Sequence, residues 1–130
     1  NDSESIRRNE ATLGDKKINF GKIRTVLLDR ECAESRKLKA IFLIKTVISN
    51  LLLKKGRNNV ILTGLSCFVS SLYDELQSFP GNELVRRELA YLLGQLQDNR
   101  SISFLETSVK NIMESSLVRI EASNAVNLIS

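Results

Sequence analysis

Leu84-Val85-Arg86-Arg87-Glu88-Leu89-Ala90 and Leu117-Val118-Arg119-Ile120-Glu121-Ala122-Ser123 decide how this chain of 130 residues is read. Both begin L-V-R-x-E, and their glutamates, at 88 and 121, stand 33 residues apart. The register continues downstream: Leu92 matches Ala125, Leu93 matches Val126 and Leu96 matches Ile129. Self-similarity at such a period, with two helices per unit, is the signature of an α-solenoid, in which each unit buries its apolar face against a neighbour. At 100° per residue, Val85, Leu89, Leu92, Leu93 and Leu96 share one arc, and so do Val118, Ala122, Ala125, Val126 and Ile129. Arg87 and Ile120 fall roughly 170° from the arc centre by the same period, with Glu88 and Glu121 on the rim. Stacked repeats project equivalent positions onto one surface, so Arg87, Glu88, Ile120 and Glu121 are expected as neighbours on a shared face. Arginine and glutamate early in a helix are also favourable without any function, and that suffices for Arg86 and Arg119. An isoleucine opposite the core stripe is different, because that position is polar unless something covers it.

Reading outward, the same helical period recurs. Phe20, Ile23, Val26 and Leu27 form one short helix that Asp29 ends. Ser35 to about Leu53 forms a longer one, with Ala40, Leu43, Ile44, Val47 and Leu51 supplemented by Ile41, Phe42 and Ile48, which predicts packing on both flanks. Gly56 after Lys54-Lys55 is a helix stop. Further helices are expected over Val60–Gln77, Glu83–Leu96, Arg100–Met113 and Leu117–Ile129, with Pro80-Gly81 as a turn and Asp98 as a cap. Residues 1–18 are polar and lack an apolar period, so they read as a tail or frayed turn, and 19–130 as the solenoid domain.

Composition narrows the chemistry. One Pro and six Gly disfavour many short strands and turns, so the class expected is all-α, with about three to four helical hairpins. There is no His anywhere, which removes Ser-His and Cys-His nucleophile pairs, a His general base and every His-containing metal site within this chain. Cys32 and Cys67 have no C-x-x-C spacing and read as ordinary buried thiols of a reducing compartment. No apolar run approaches the roughly 20 residues of a membrane helix, and no apolar leader is visible, so a cytoplasmic protein is expected. The net charge of +4 permits contact with RNA or an acidic partner without establishing either.

Arg87-Glu88-Leu89-Ala90-Tyr91-Leu92-Leu93-Gly94-Gln95-Leu96-Gln97-Asp98-Asn99-Arg100-Ser101-Ile102 resembles the H-E-x-A-Y-x-L-G-Q-x-Q-D-x-R-A-I segment of deoxyhypusine hydroxylase. Leu117–Ala122 resembles the family's next segment, M-V-R-H-E-A. Ile23–Asp29 looks like its L-R-x-V-L-L-D, and Lys39–Lys45 like its R-A-L-F-A-L-R. Order and spacing agree over most of residues 21–129. The wider class is the HEAT-like repeat group, which also includes phycobilin lyase subunits, and the fold implied is a short HEAT-like solenoid. The family hydroxylates deoxyhypusine on a translation factor, using a di-iron centre built from four His-Glu pairs, two in each half of a doubled protein. Here Arg87 and Ile120 stand where two of the histidines would be, and only one half is matched. A guanidinium carries a permanent positive charge and does not ligate, and isoleucine offers no donor, so no iron or other cofactor is expected.

The resemblance therefore implies a binding protein that kept the scaffold and lost its metal site. Its partner is expected to be a protein, with the translation factor or the ribosome as the first guess. Lys54, Lys55, Arg57, Arg86 and Arg100 are candidate phosphate or partner contacts. The alternative is a metalloenzyme half completed by another chain. A nucleic-acid module is disfavoured by two Tyr, five Phe and no Trp, too few rings for base stacking.

Overall fold

The computed structural model describes residues 10–13, 16–56, 60–79 and 81–130. The chain is mostly helical. Six α-helices lie among the described residues: α1 (Phe20–Leu28), α2 (Glu34–Lys55), α3 (Val60–Leu76), α4 (Glu83–Leu96), α5 (Ile102–Lys110) and α6 (Ser116–Ile129). They follow the sequence periodicity closely. The exception is the stretch read as a tail: β1 (Glu10–Leu13) pairs antiparallel with β2 (Lys16–Asn19), Leu13 opposite Lys16.

Local chemistry sets the helix ends. The Asn19 side chain accepts the Lys22 N–H at 3.0 Å and starts α1. Gly56, at φ +72°, stops α2 with its N–H on the Leu52 carbonyl, as the basic last turn predicts. Gly81 and Asn82 both take left-handed backbone and turn the chain into α4. Gln97 does the same at its far end, its N–H on the Leu93 carbonyl. Residues 99–101 form a 3₁₀ turn capped by Asp98, so α5 begins at Ile102 rather than Arg100. It ends at Lys110 rather than Met113, because Asn111 is extended and its side chain accepts the Met113 N–H.

The fold divides into two compact units, residues 1–65 and 66–130, with the boundary inside α3. In the first, Ile18, Phe20, Ile23 and Leu27 are buried together with a stripe of α2: Lys37, Ala40, Ile41, Ile44, Val47 and Ile48. The expectation that α2 packs on both flanks does not hold, since Phe42 is 65% exposed and Leu43 is 40% exposed. In the second, the expected arc of α4 (Val85, Leu89, Leu92, Leu93, Leu96) is buried, as are Val118, Ala122 and Ala125 of α6, while Val126 and Ile129 are half-buried. Polar links tie α3 to the α5 region: Ser70 and Ser101 hydroxyls lie 2.9 Å apart, and Tyr73 donates to Ser108 at 2.6 Å. The described Ser70, Tyr73, Ser101 and Ser108 are all buried, and burial pushes the Tyr73 phenol above its ordinary value of 10.0.

Candidate functional site

α4 and α6 are the same length, 14 residues, and start 33 residues apart. They pack directly on each other. Near their N-termini Arg87 Nε lies 3.7 Å from Glu121 Oε1. Near their C-termini Gly94 meets Ala125 so closely that a Cβ at 94 would lie 3.1 Å from both the Ala125 Cα and Cβ. Start against start and end against end make the pair parallel. The resulting face carries Arg87, Glu121 and Ile120, which is 60% exposed. Glu88 is half-buried and engaged in the fold. Of the four residues expected on a shared face, Arg87 and Glu121 lie within ion-pair distance of each other. Leu117, Tyr91 and Leu128 extend the face as exposed apolar side chains.

Chemically, this face is an ion pair beside an apolar patch. The carboxylate of Glu121 already answers a guanidinium, and Ile120 has no donor, so the residues present do not fit an iron centre. Among the described residues, no group of three or more His, Cys, Asp or Glu gathers in a metal-holding arrangement.

The remaining candidates separate. Arg86, read as a possible phosphate contact, turns inward and is only 8% exposed. It makes a bidentate pair with Glu114, Nε to Oε2 at 2.8 Å and Nη2 to Oε1 at 2.7 Å. Its Nη1 donates to the carbonyls of Gly81 and, at 3.5 Å, Phe79. Four of its five N–H donors hold the turns before α4 and α6, and its burial keeps it from being presented to a phosphate. Arg119, its repeat equivalent, donates to the Val109 carbonyl at 3.2 and 3.3 Å. Both L-V-R arginines therefore clamp backbone. Lys54 is exposed at the end of α2. Arg57 lies outside the described residues, as does the side chain of Lys55.

Arg100 belongs to a different feature, an open cleft of about 340 Å³ lined by Ser66, Cys67, Ser70, Asp74, Asp98 and Phe104 among others. Its Nη2 lies 2.5 Å from Asp98 Oδ2, and this pairing first of all holds the Asp98 carboxyl down at about 2. The guanidinium is thus exposed but already partnered. Cys67 is exposed on this cleft and Cys32 is half-buried, both as free thiols, so the buried placement expected for both is corrected. The signal was available: Leu62, Leu65, Val69, Leu72 and Leu76 set the inward stripe of α3, and Cys67 falls off it.

No described helix is long and apolar enough to cross a membrane. Comparison with protein-family models, curated proteins and solved structures finds no match for this chain.

Proposed function

We propose that this chain is a metal-free, HEAT-like helical-repeat protein of the cytoplasm that binds a protein partner through the α4–α6 face. The partner we assign is a component of the translation machinery, either the hypusine-containing translation factor or the ribosome. The observation that carries the binding role is the Arg87–Glu121 pair beside Ile120. An ion pair occupies the positions where the resembled enzymes place ligands, and an exposed isoleucine sits beside it. The parallel stacking of α4 and α6 at a 33-residue offset supports the solenoid reading, as do the links that run α3 alongside α5. The translation partner rests on the resemblance alone.

The test combines partner and metal. The tagged chain is recovered from lysate of its source cell, with Ile120→Asp and Arg87→Glu in parallel. Co-sedimentation with ribosomes or recovery of the translation factor, lost in both variants, together with negligible iron, supports the reading. Binding that ignores both substitutions, or no translation component at all, refutes it. Iron near one or two equivalents would establish instead the alternative, a metalloenzyme half completed by another chain.

A further inference from the structure

The net charge of +4 hides a strong asymmetry. Between Asn19 and Lys55 the chain has nine Lys and Arg against three acidic residues, whereas from Gly56 to Ser130 it has six against eight. The cationic character therefore belongs to α1 and α2, not to the α4–α6 face.

These two helices pack on each other, and with β2 they frame an open groove of about 610 Å³. Its floor is apolar: Ile18, Ile23 and Ala40 lie deep, with Val26 and the 40% exposed Leu43 above them. Its rim carries Lys22 and Arg36, both exposed, and neither makes an ion pair among the described residues. No acidic side chain is among the described residues that line it. The volume lies within the range of about 300–1,000 Å³ that binding clefts occupy.

We infer that this groove docks an acidic amphipathic helix from a protein partner, its apolar side chains on the Ile18–Ile23–Ala40–Leu43 floor and its carboxylates at Lys22 and Arg36. The charge complementarity commits the occupant to an anionic one: two cations with no ion pair among the described residues, beside an apolar floor, favour a ligand that brings both carboxylates and apolar surface. A nucleic acid fits less well, since none of the described lining residues has an aromatic ring for a base to stack on. The groove shares no residue with the α4–α6 face, so it stands or falls independently of the function proposed above.

The experiment uses fluorescence anisotropy with the full chain. The first probe is a labelled peptide of about 16 residues, with leucines repeating at i, i+4 and i+7 on one helical face and glutamates flanking them. The second has the same composition in an order that scatters the leucines, and the third is an oligouridylate. The amphipathic peptide is expected to bind about tenfold tighter than the scattered one. Leu43→Asp and Arg36→Glu, both at exposed positions, are each expected to weaken it by about tenfold, while Ile120→Asp leaves it unchanged. Circular dichroism confirms that each variant remains helical. Equal binding of the two peptides, tighter binding of the oligouridylate, insensitivity to the groove substitutions or no binding near millimolar protein would each overturn the assignment.

Discussion

Replacing Arg86 with methionine removes a guanidinium whose side chain is 9% exposed and strands a Glu114 carboxylate that is 4% exposed. Among the described residues, Glu114 would keep only the Ser115 N–H, at 2.7 Å, as a partner. The carbonyl of Gly81 would lose its donor as well. Breaking one side of a buried, bidentate pair costs about 3–5 kcal/mol, because the remaining charge is left without its partner in a poorly solvated place. Native stabilities run from about 5 to 15 kcal/mol, so the loss is a large share of the whole. Removing both charges is far cheaper. Arg86→Met/Glu114→Leu replaces the pair with apolar groups of similar reach, and the residual cost falls to about 1–2 kcal/mol, from the released carbonyls. The expected coupling in the double-mutant cycle is therefore about 3 kcal/mol or more.

Urea unfolding followed by circular dichroism measures all four corners of the cycle, with constant m-values showing that the unfolded reference is unchanged. Arg119→Met is the internal control. Arg119 is only half-buried and serves one carbonyl, so its loss should cost about 1–2 kcal/mol. Near-equal costs for the two arginines, or a coupling below about 0.5 kcal/mol between 86 and 114, would refute the claim that the first is a buried structural clamp.

Other consequences are equally concrete. Because Asp98 titrates at about 2 in the fold against 3.8 unfolded, it contributes stability above pH 4 that is lost as pH falls toward 2. Asp98→Asn should therefore flatten that acid limb, and an unaltered limb in acid denaturation would count against the Asp98–Arg100 pair. In a Tyr91→Phe background, tyrosinate absorbance of the remaining Tyr73 should rise only above pH 10, since burial opposes ionisation. Folding stability should fall as that titration proceeds, and a midpoint at or below 10 would contradict the buried hydroxyl. Gly94→Val forces side-chain atoms against Ala125 and Leu128, where a Cβ alone is already at 3.1–3.3 Å, and should cost about 1–3 kcal/mol in thermal or urea unfolding despite the better helix propensity of valine.

What could be read in the sequence was what repeats every three to four residues. The core arc of α4, the glycine that stops α2 and the Asp98 cap each follow from local pattern, and each lies where expected. The paired strands did not show: EATL does alternate polar and apolar, but only over four residues, and KKIN does not, so neither stood out from the polar stretch around them. The inward turn of Arg86 escaped for a different reason. One residue is 100° of rotation, so 86 and 87 differ only by where the arc is centred, and the charge that settles it, Glu114, comes from a turn 28 residues away. The exposure of Phe42 is likewise a matter of what neighbours supply, not of the helix's own period.

The repeated L-V-R-x-E string thus combines two roles that adjacent positions keep apart. Its arginines at 86 and 119 each reach backbone carbonyls before their own helix, which is reason enough for an arginine at both positions. The next position differs, Arg87 in one copy and Ile120 in the other, because nothing inside the helix pair requires it to be the same. Arg87 is anchored to Glu121 across the parallel pair, while Ile120 is left exposed. A 33-residue shift carries Arg87 onto Ile120 and Gly94 onto Asn127. The surface that α6 turns outward is therefore the counterpart of the one α4 turns toward α6. On α4 that surface carries a salt bridge and a glycine contact. On α6 it is isoleucine and asparagine, without the glycine that permits the close helix approach seen between α4 and α6.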